Sequence, residues 1–244
     1  MRIVLSRKGF DSSAGGTPSP IIHGRPISLP IPTSPDRSRT TYNDLELGAV
    51  VERVTNGRID GSHACHEDPM FLGGRCAFGQ TSAAQTHLSN NAVGVGDAFL
   101  FFGLFREEVS GEPHHRIFGF LRVECVIHVG ASPGADDGLI GFARPHPHTI
   151  GPWNSNNVIY VGTGSSAKMA SPILRLTAPN CGTSVWQVPQ WLKTMKLSYH
   201  GSPERWLDGN RLASVGRGQE FVSDIGDDEE ANAWVNHIIE AIMN

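Results

Sequence analysis

Residues 92–129 read AVGVGDAFLFFGLFREEVSGEPHHRIFGFLRVECVIHV, and no other stretch limits the fold so strongly. Ala98 to Phe105 is an unbroken apolar run, bounded by Gly96-Asp97 on one side and by charges on the other. It is too short for an ordinary helix and rich in aromatics, which predicts a strand buried on both faces. A polar turn at Ser110-Gly111-Glu112-Pro113 follows. Strict alternation then sets in: Ile117, Gly119, Leu121, Val123, Cys125, Ile127 and Val129 point one way, and Arg122, Glu124 and His128 the other. A period of two is the signature of a strand with one face in the core. The pair predicts a long antiparallel hairpin at the centre of a sheet or barrel.

Glycine (28) and proline (16) are both abundant in the 244 residues, which adds turns and long loops to that hairpin. The fold class expected is α+β: a central mixed or antiparallel sheet, or a partly open barrel, in a single domain over 1–244 that is large enough to bury a substantial core. No apolar run approaches the ~18 residues that span a bilayer, so no membrane partner is expected. The start, MRIVLSRKGFD, lacks the apolar core of a signal peptide. Cys65, Cys76, Cys125 and Cys181 are scattered without a Cys-x-x-Cys, which excludes a zinc ribbon and suits reduced thiols in a cytoplasm. The net charge of −4 hides an asymmetry, because the residues from Gln219 onward hold seven acids and no Lys or Arg. There Ala231, Trp234, Val235, Ile238, Ile239 and Ile242 recur at helical spacing, predicting a covering helix over about 228–243. Asp227 to Glu230 fall in its first turn, where they complement the dipole and need no partner. The rest of the chain is slightly basic, and its bases are mostly Arg. That permits a nucleotide or nucleic-acid partner without requiring one.

Three stretches carry chemistry by residue type. Arg2 to Ser6 reads as a first strand running into RKGFDSSAGGTPSPI, where Arg7, Lys8, Asp11, Ser12 and Ser13 sit together. A strand ending in a Gly-Ser loop with two cations can hold an anion, or it is a plain solvated loop; no Gly-Lys-Ser/Thr makes it a Walker sequence. Gly57 to Gly79 is turn-rich and holds His63, Cys65, His66, Glu67 and Asp68, types that ligate borderline metals but are also common in solvated loops. Ser132 to Trp153 is irregular and contains Arg144-Pro145-His146-Pro147-His148. On an extended backbone this His-x-His puts both imidazoles on one side, as a metal pair requires; hydrogen-bonded histidines are the alternative. Between these, Gly24 to Arg39 is proline-rich and extended, Tyr42 to Val54 fits either a short helix or a strand, and Gln80 to Leu88 suits a turn of helix. Val158 to Val161 and Ile173 to Leu176 read as short strands, and Trp186 to Leu192 as a strand end followed by a helical turn.

Several stretches, taken in order, resemble the nucleotide modification associated domain 3 family: SRKGFDSSAGGTPSP, FGQTSAAQTHL, GVGDAFLFFGLFRE, SVWQVPQWL, LSYHGSPERW and GRGQEFVSDI. The resemblance runs from Ser6 to Ile225. It implies an α+β fold and a part in modifying nucleic-acid bases, not a particular reaction. GVGDAFLFFG followed by IFGFLRV is also similar in outline to the barrel of PUA-like domains, some of which grip flipped or modified bases; that is a likeness of fold, which does not fix function.

Two functions are then in play. One is an enzyme modifying a base or nucleotide, with a divalent metal (iron or zinc) held by some of His66, Asp68, His146, His148 and His200. Acid–base groups would come from Asp11, His148, His200 and Glu220, and phosphate contacts from Arg7, Lys8, Ser12, Ser13, Arg106 and Arg205. The other is a PUA-like reader without chemistry, stacking a modified base on Trp153, Tyr160, Trp186, Tyr199 or Trp206. The number of histidines favours the enzyme.

Overall fold

The apolar run forms a ten-residue strand, Ala98–Glu107, and the alternating stretch a fifteen-residue one, His114–His128. The computed structural model describes residues 1–108, 111–132, 141–216, 218 and 220–244. Ser110 of the expected turn and residues 133–140 of the expected irregular segment lie outside that set.

In chain order the strands are β1 (Arg2–Arg7), β2 (Ser19–Ile22), β3 (Arg25–Pro26), β4 (Ile31–Pro32), β5 (Cys65–His66), β6 (Met70–Leu72), β7 (Arg75–Gln80), β8 (Ala98–Glu107), β9 (His114–His128), β10 (Val158–Ser166), β11 (Val185–Gln187), β12 (Trp206–Leu207), β13 (Arg211–Ala213) and β14 (Glu220–Asp224). The helices are α1 (Gly48–Thr55), α2 (Ser82–Asn90), α3 (Trp191–Met195) and α4 (Glu229–Met243). The main sheet runs β14-β1-β8-β9-β10-β7-β6, with β2 beside the far half of β8 and β3 beside β2. It is mixed: β1 and β2 are parallel to β8, and the pairings of β9, β10, β7 and β14 are antiparallel. Its ends, β14 and β6, do not pair, so the sheet is open and the barrel alternative is not formed. Small sheets β11-β13-β12 and β4-β5 lie apart from it.

β8 is buried on both sides, as its composition requires. Leu100 and Phe102 pack with Ile3, Leu5, Trp186 and Phe221 on one face, and Phe99, Phe101 and Phe105 pack with Phe78 and Tyr160 on the other. The first face is covered by α4, whose Val235, Ile238, Ile239 and Ile242 enter the cluster; Trp234 is only partly buried and meets Trp191 edge to face. The Asp228 carboxylate accepts the Ala231 N–H at 2.9 Å and caps the helix. Among the described residues no helix is long and apolar enough to cross a membrane.

β9 corrects the expected alternation. Phe101 pairs with Gly119 but Phe102 with Ile117, so Phe118 is an extra residue in a bulge. A second bulge places Val161 opposite Cys125 and Gly162 opposite Val123, leaving Glu124 extra. Each bulge shifts the phase by one residue. Ile117 therefore packs under α4 while Leu121 and Val123 pack on the opposite face, and Cys125 turns outward. A Cβ on Gly162 would stand 1.9 Å from the Arg122 carbonyl oxygen, so the second bulge needs glycine there. The predicted strand at Ile173–Leu176 is instead a 3-10 turn, Pro172–Leu174, followed by one bridge between Arg175 and Arg116. Pro172 at the first position of that turn cannot donate to a ladder.

Candidate functional site

Asp68 precedes β6, at a cis bond to Pro69, and its side chain is 5% exposed. Three imidazoles surround its carboxylate. His66 Nε2 lies 3.6 Å from Oδ2, His148 Nε2 3.7 Å from Oδ2, and His146 Nε2 3.4 Å from Oδ1. The Gly79 N–H donates to Oδ1 at 3.0 Å. Burial alone would raise the Asp68 pKa, but the contacts from His146 and His66 and the nearby imidazoles outweigh it and hold the carboxyl well below its usual range.

The two histidines of the His-x-His pair differ in role, because the backbone there is not extended throughout. His146 caps a 3-10 turn, Pro147–Thr149, and its Nδ1 accepts the His148 N–H at 3.1 Å. Its other nitrogen, Nε2, is buried with no closer partner than Asp68. His148 Nδ1 meets Asn157 Oδ1 at 2.6 Å. The Asn157 amide nitrogen donates to the His148 and Gly130 carbonyls at 2.9 and 3.3 Å, which fixes the amide with its oxygen toward the ring. His148 Nδ1 therefore carries the proton, and Nε2 presents a bare lone pair to Asp68. Burial, reinforced by His146 and His66, pushes His148 down to about 3 against the pull of Asp68, so the ring is neutral. Trp153 stacks flat on it at 4.3 Å, with Arg37 over the other part of the stack, 4.7 Å from the indole.

His66, Asp68 and His148 each offer one atom, all within 4.8 Å of one another. Three donors about 2.1 Å from one ion are about 3.0–3.5 Å apart, so the two 3.6–3.7 Å separations need only a small closure. A bidentate ion pair joins the two segments: Arg144 Nε and Nη2 each stand 3.0 Å from a Glu67 carboxylate oxygen. A Cβ on Gly79 would lie 2.4 Å from His148 Cγ and Cδ2, so this glycine lets the rings lie against β7.

The cavity beside these groups, of about 170 Å³, is lined by Arg7, Lys8, Asp11, Ser13, His66, Asp68, Gly79, Gln80 and His148. A larger one, of about 620 Å³, adjoins it and shares Gly9 and Asp68. The loop after β1 therefore does face the imidazole cluster, and apart from the buried, unpartnered Arg7 Nε its main polar groups are engaged. Arg7 Nη1 and Nη2 donate to the Gly216 and Val215 carbonyls, at 2.9 and 3.0 Å. Lys8 Nζ sits 2.8 Å from Glu220 Oε1 and 4.4 Å over the Phe78 ring. Asp11 Oδ1 accepts from Ser13 N, Ser13 Oγ and Ala14 N, closing the loop on itself. Glu220 Oε1 also accepts from Gln80 Nε2 at 2.8 Å, while its buried Oε2 has no partner.

Other expected residues lie elsewhere. His200, wholly buried, donates from Nδ1 to the Ser198 carbonyl and accepts the Val215 N–H at Nε2; with both nitrogens used it stands apart from the Asp68 group. Arg205 bonds the Ala213 carbonyl, Arg106 is exposed on β8 beside Pro20, and Ser12 is exposed; none of the three lines the cavity at Asp68. Sequence reasoning passed over Gly79, Arg144, Trp153 as a ring partner, and Asn157. Gly79 carried a signal, as a glycine inside a strand that marks a close approach.

An open mixed sheet carrying one buried carboxylate ringed by imidazoles is the frame on which the comparisons fall. Residues 2–224 match the nucleotide modification associated domain 3 family, and the chain belongs to it. No curated protein and no solved structure matches the chain. Membership associates the chain with nucleotide modification and with a nucleotide or nucleic-acid partner.

Proposed function

We propose that the chain is an enzyme that modifies a nucleic-acid base or nucleotide with a divalent metal, iron or zinc, held by His66, Asp68 and His148. One observation carries this reading: the bare Nε2 of His148 and the charged carboxylate of Asp68 face each other at 3.7 Å, two acceptors with no proton between them. A cation between them removes the repulsion. Two imidazoles and one carboxylate are the donor set of non-haem iron sites that keep open positions, and zinc accepts the same types. The ion would supply Lewis-acid or redox chemistry at those positions. The chain's own groups supply the rest. Asn157 holds the His148 tautomer, as outer partners of metal-bound histidines commonly do. Trp153 keeps that ring in plane. Lys8 brings positive charge to the cavity wall, and Glu220, bonded to Lys8 and Gln80 and with one oxygen free, is the group assigned to hold a proton. His146 orients Asp68 instead of serving as a ligand, and Asp11 and His200 support loops. The unpaired cysteines suit a reducing cytoplasm.

The alternative is a reader that stacks a modified base without chemistry; with the sheet open, its cleft would be the cavity at Asp68 and not a barrel mouth. The test is metal analysis of protein purified without added metal, aerobically and anaerobically, beside nucleoside mass spectrometry of DNA and RNA from cells expressing the chain or its Asp68→Ala variant. Stoichiometric iron or zinc and a new nucleoside, both lost in the variant, are the expected results. A metal-free protein that still makes the nucleoside overturns the metal; a chain that makes none overturns the enzyme.

A further inference from the structure

Away from that site, Arg116 on β9 is 3% exposed and forms no ion pair among the described residues. It lies opposite Arg175 in an antiparallel bridge, and both line a cavity of about 450 Å³. Like charges placed directly opposite on paired strands repel, and a buried charge without a counter-ion is costly. The Arg116 guanidinium is nevertheless held in place. Nη2 donates to the Ser171 carbonyl at 2.8 Å, and Nη1 meets His114 Nε2 at 3.3 Å. His114 Nδ1 faces the Glu112 carbonyl at 3.2 Å, so it carries the proton and leaves Nε2 to accept from the arginine. Arg116 Nε is buried and has no partner.

We propose that this cavity is a binding site for a phosphate group, taken between Arg116 and Arg175. Arginine's planar fork matches phosphate oxygens, and a guanidinium fixed in advance loses little entropy on binding. Burial and the nearby Arg175 depress the Arg116 pKa to about 10 against the pull of Glu107, as expected of a cation lacking a counter-ion. Glu107 and Glu112 also line the cavity, but both are exposed and screened by solvent, whereas Arg116 is not. The phosphate belongs to a free nucleotide or to a nucleic-acid backbone, which have this chemistry in common. The site is independent of the metal.

Thermal shift and calorimetric titration at fixed ionic strength test it, with inorganic phosphate, a nucleoside monophosphate and a single-stranded oligonucleotide as probes and chloride as the control. Phosphate is expected to raise the Tm of the wild type, as a ligand of the native state does. Arg175→Gln, at an exposed position, is expected to fold normally and to weaken phosphate about tenfold, the loss of one charge-assisted contact. Arg116→Gln is expected to abolish the response where it folds. A monophosphate that outbinds its neutral nucleoside identifies a nucleotide site; an oligonucleotide with a steep salt slope that flattens in Arg175→Gln identifies a backbone site. A wild-type Tm that none of the three probes moves overturns the proposal, as does an Arg175→Gln protein that responds like the wild type; the cavity then holds water only.

Discussion

Two polar regions, one around Arg7, Asp11 and His200 and one around Asp68, are built from the same residue types and end differently. In the region of Arg7, Asp11 and His200, the charged and imidazole groups bond within the chain: Arg7 on the Val215 and Gly216 carbonyls with only its Nε left over, Asp11 on its own loop, His200 between Ser198 and Val215. In the region of Asp68, three imidazoles converge on one carboxylate, and the protein itself leaves two acceptors facing each other. Residue type marks both regions as candidates. Where the hydrogen bonds go separates a histidine with both nitrogens bonded from one that leaves a nitrogen bare.

Substitution sharpens the contrast, beginning with the largest effect expected on metal binding. Asp68→Ala removes the central donor and is expected to lose stoichiometric metal, read by elemental analysis, while circular dichroism stays native. Gly79→Ala puts a methyl group where His148 lies and is expected to weaken metal about a hundredfold, with the sheet intact. Arg144→Ala breaks the clamp on Glu67 and is expected to cost about tenfold in a chelator competition, with partial recovery in Arg144→Lys. His200→Ala is expected to leave metal affinity unchanged and to lower stability by about 1–3 kcal/mol in urea unfolding, because it strands the Val215 N–H and the Ser198 carbonyl. Metal loss from His200→Ala matching that from Asp68→Ala would erase the distinction between the regions.

A pH effect belongs to the satisfied region. His115 is pushed down to about 4, by burial first and then by Arg7 and His114, with the Thr183 carbonyl and Asp11 pulling the other way. Its Nδ1 stands 3.0 Å from the Thr183 carbonyl and 3.1 Å from Trp186 Nε1, and the ring can make only one of these two bonds in a given tautomer. The folded pKa lies below the unfolded one, so below about 6.5 the unfolded chain takes up a proton that the folded chain refuses. Stability is expected to be full above that pH and to fall as the pH drops toward about 4. Urea titrations across that range check it, and His115→Asn is expected to flatten the slope.

Much of the fold was legible because it is written in local patterns. The apolar run gave β8, the helical spacing gave α4 to within a residue, and the family was visible in short motifs. The phase of β9 was not legible, since a bulge depends on the partner strand and leaves no mark in the periodicity of its own. The site was legible by residue type, and its hydrogen-bond geometry was not. His66, Asp68, His146 and His148 stand out as possible ligands, but the turn that gives His146 to the His148 N–H appears only in three dimensions. His200 and Arg205 lie in a family motif, and packing explains both. Asn157 and Arg144 had no signal at all, because a lone amide or guanidinium acquires meaning only from what it touches.

The Arg144–Glu67 clamp joins positions 77 residues apart. A short chelating motif can seize an ion in a denatured chain; here only His66 and Asp68 are local, and His148 joins them only after β7 has paired with β6 and β10. An ion seated there would bind the folded chain, with three donors, more tightly than the unfolded one, with two, and that difference would appear as resistance to unfolding. Melting temperature would then serve as a gauge of occupancy, rising with free metal concentration in the intact protein and needing about tenfold more metal for the same rise once the clamp is cut.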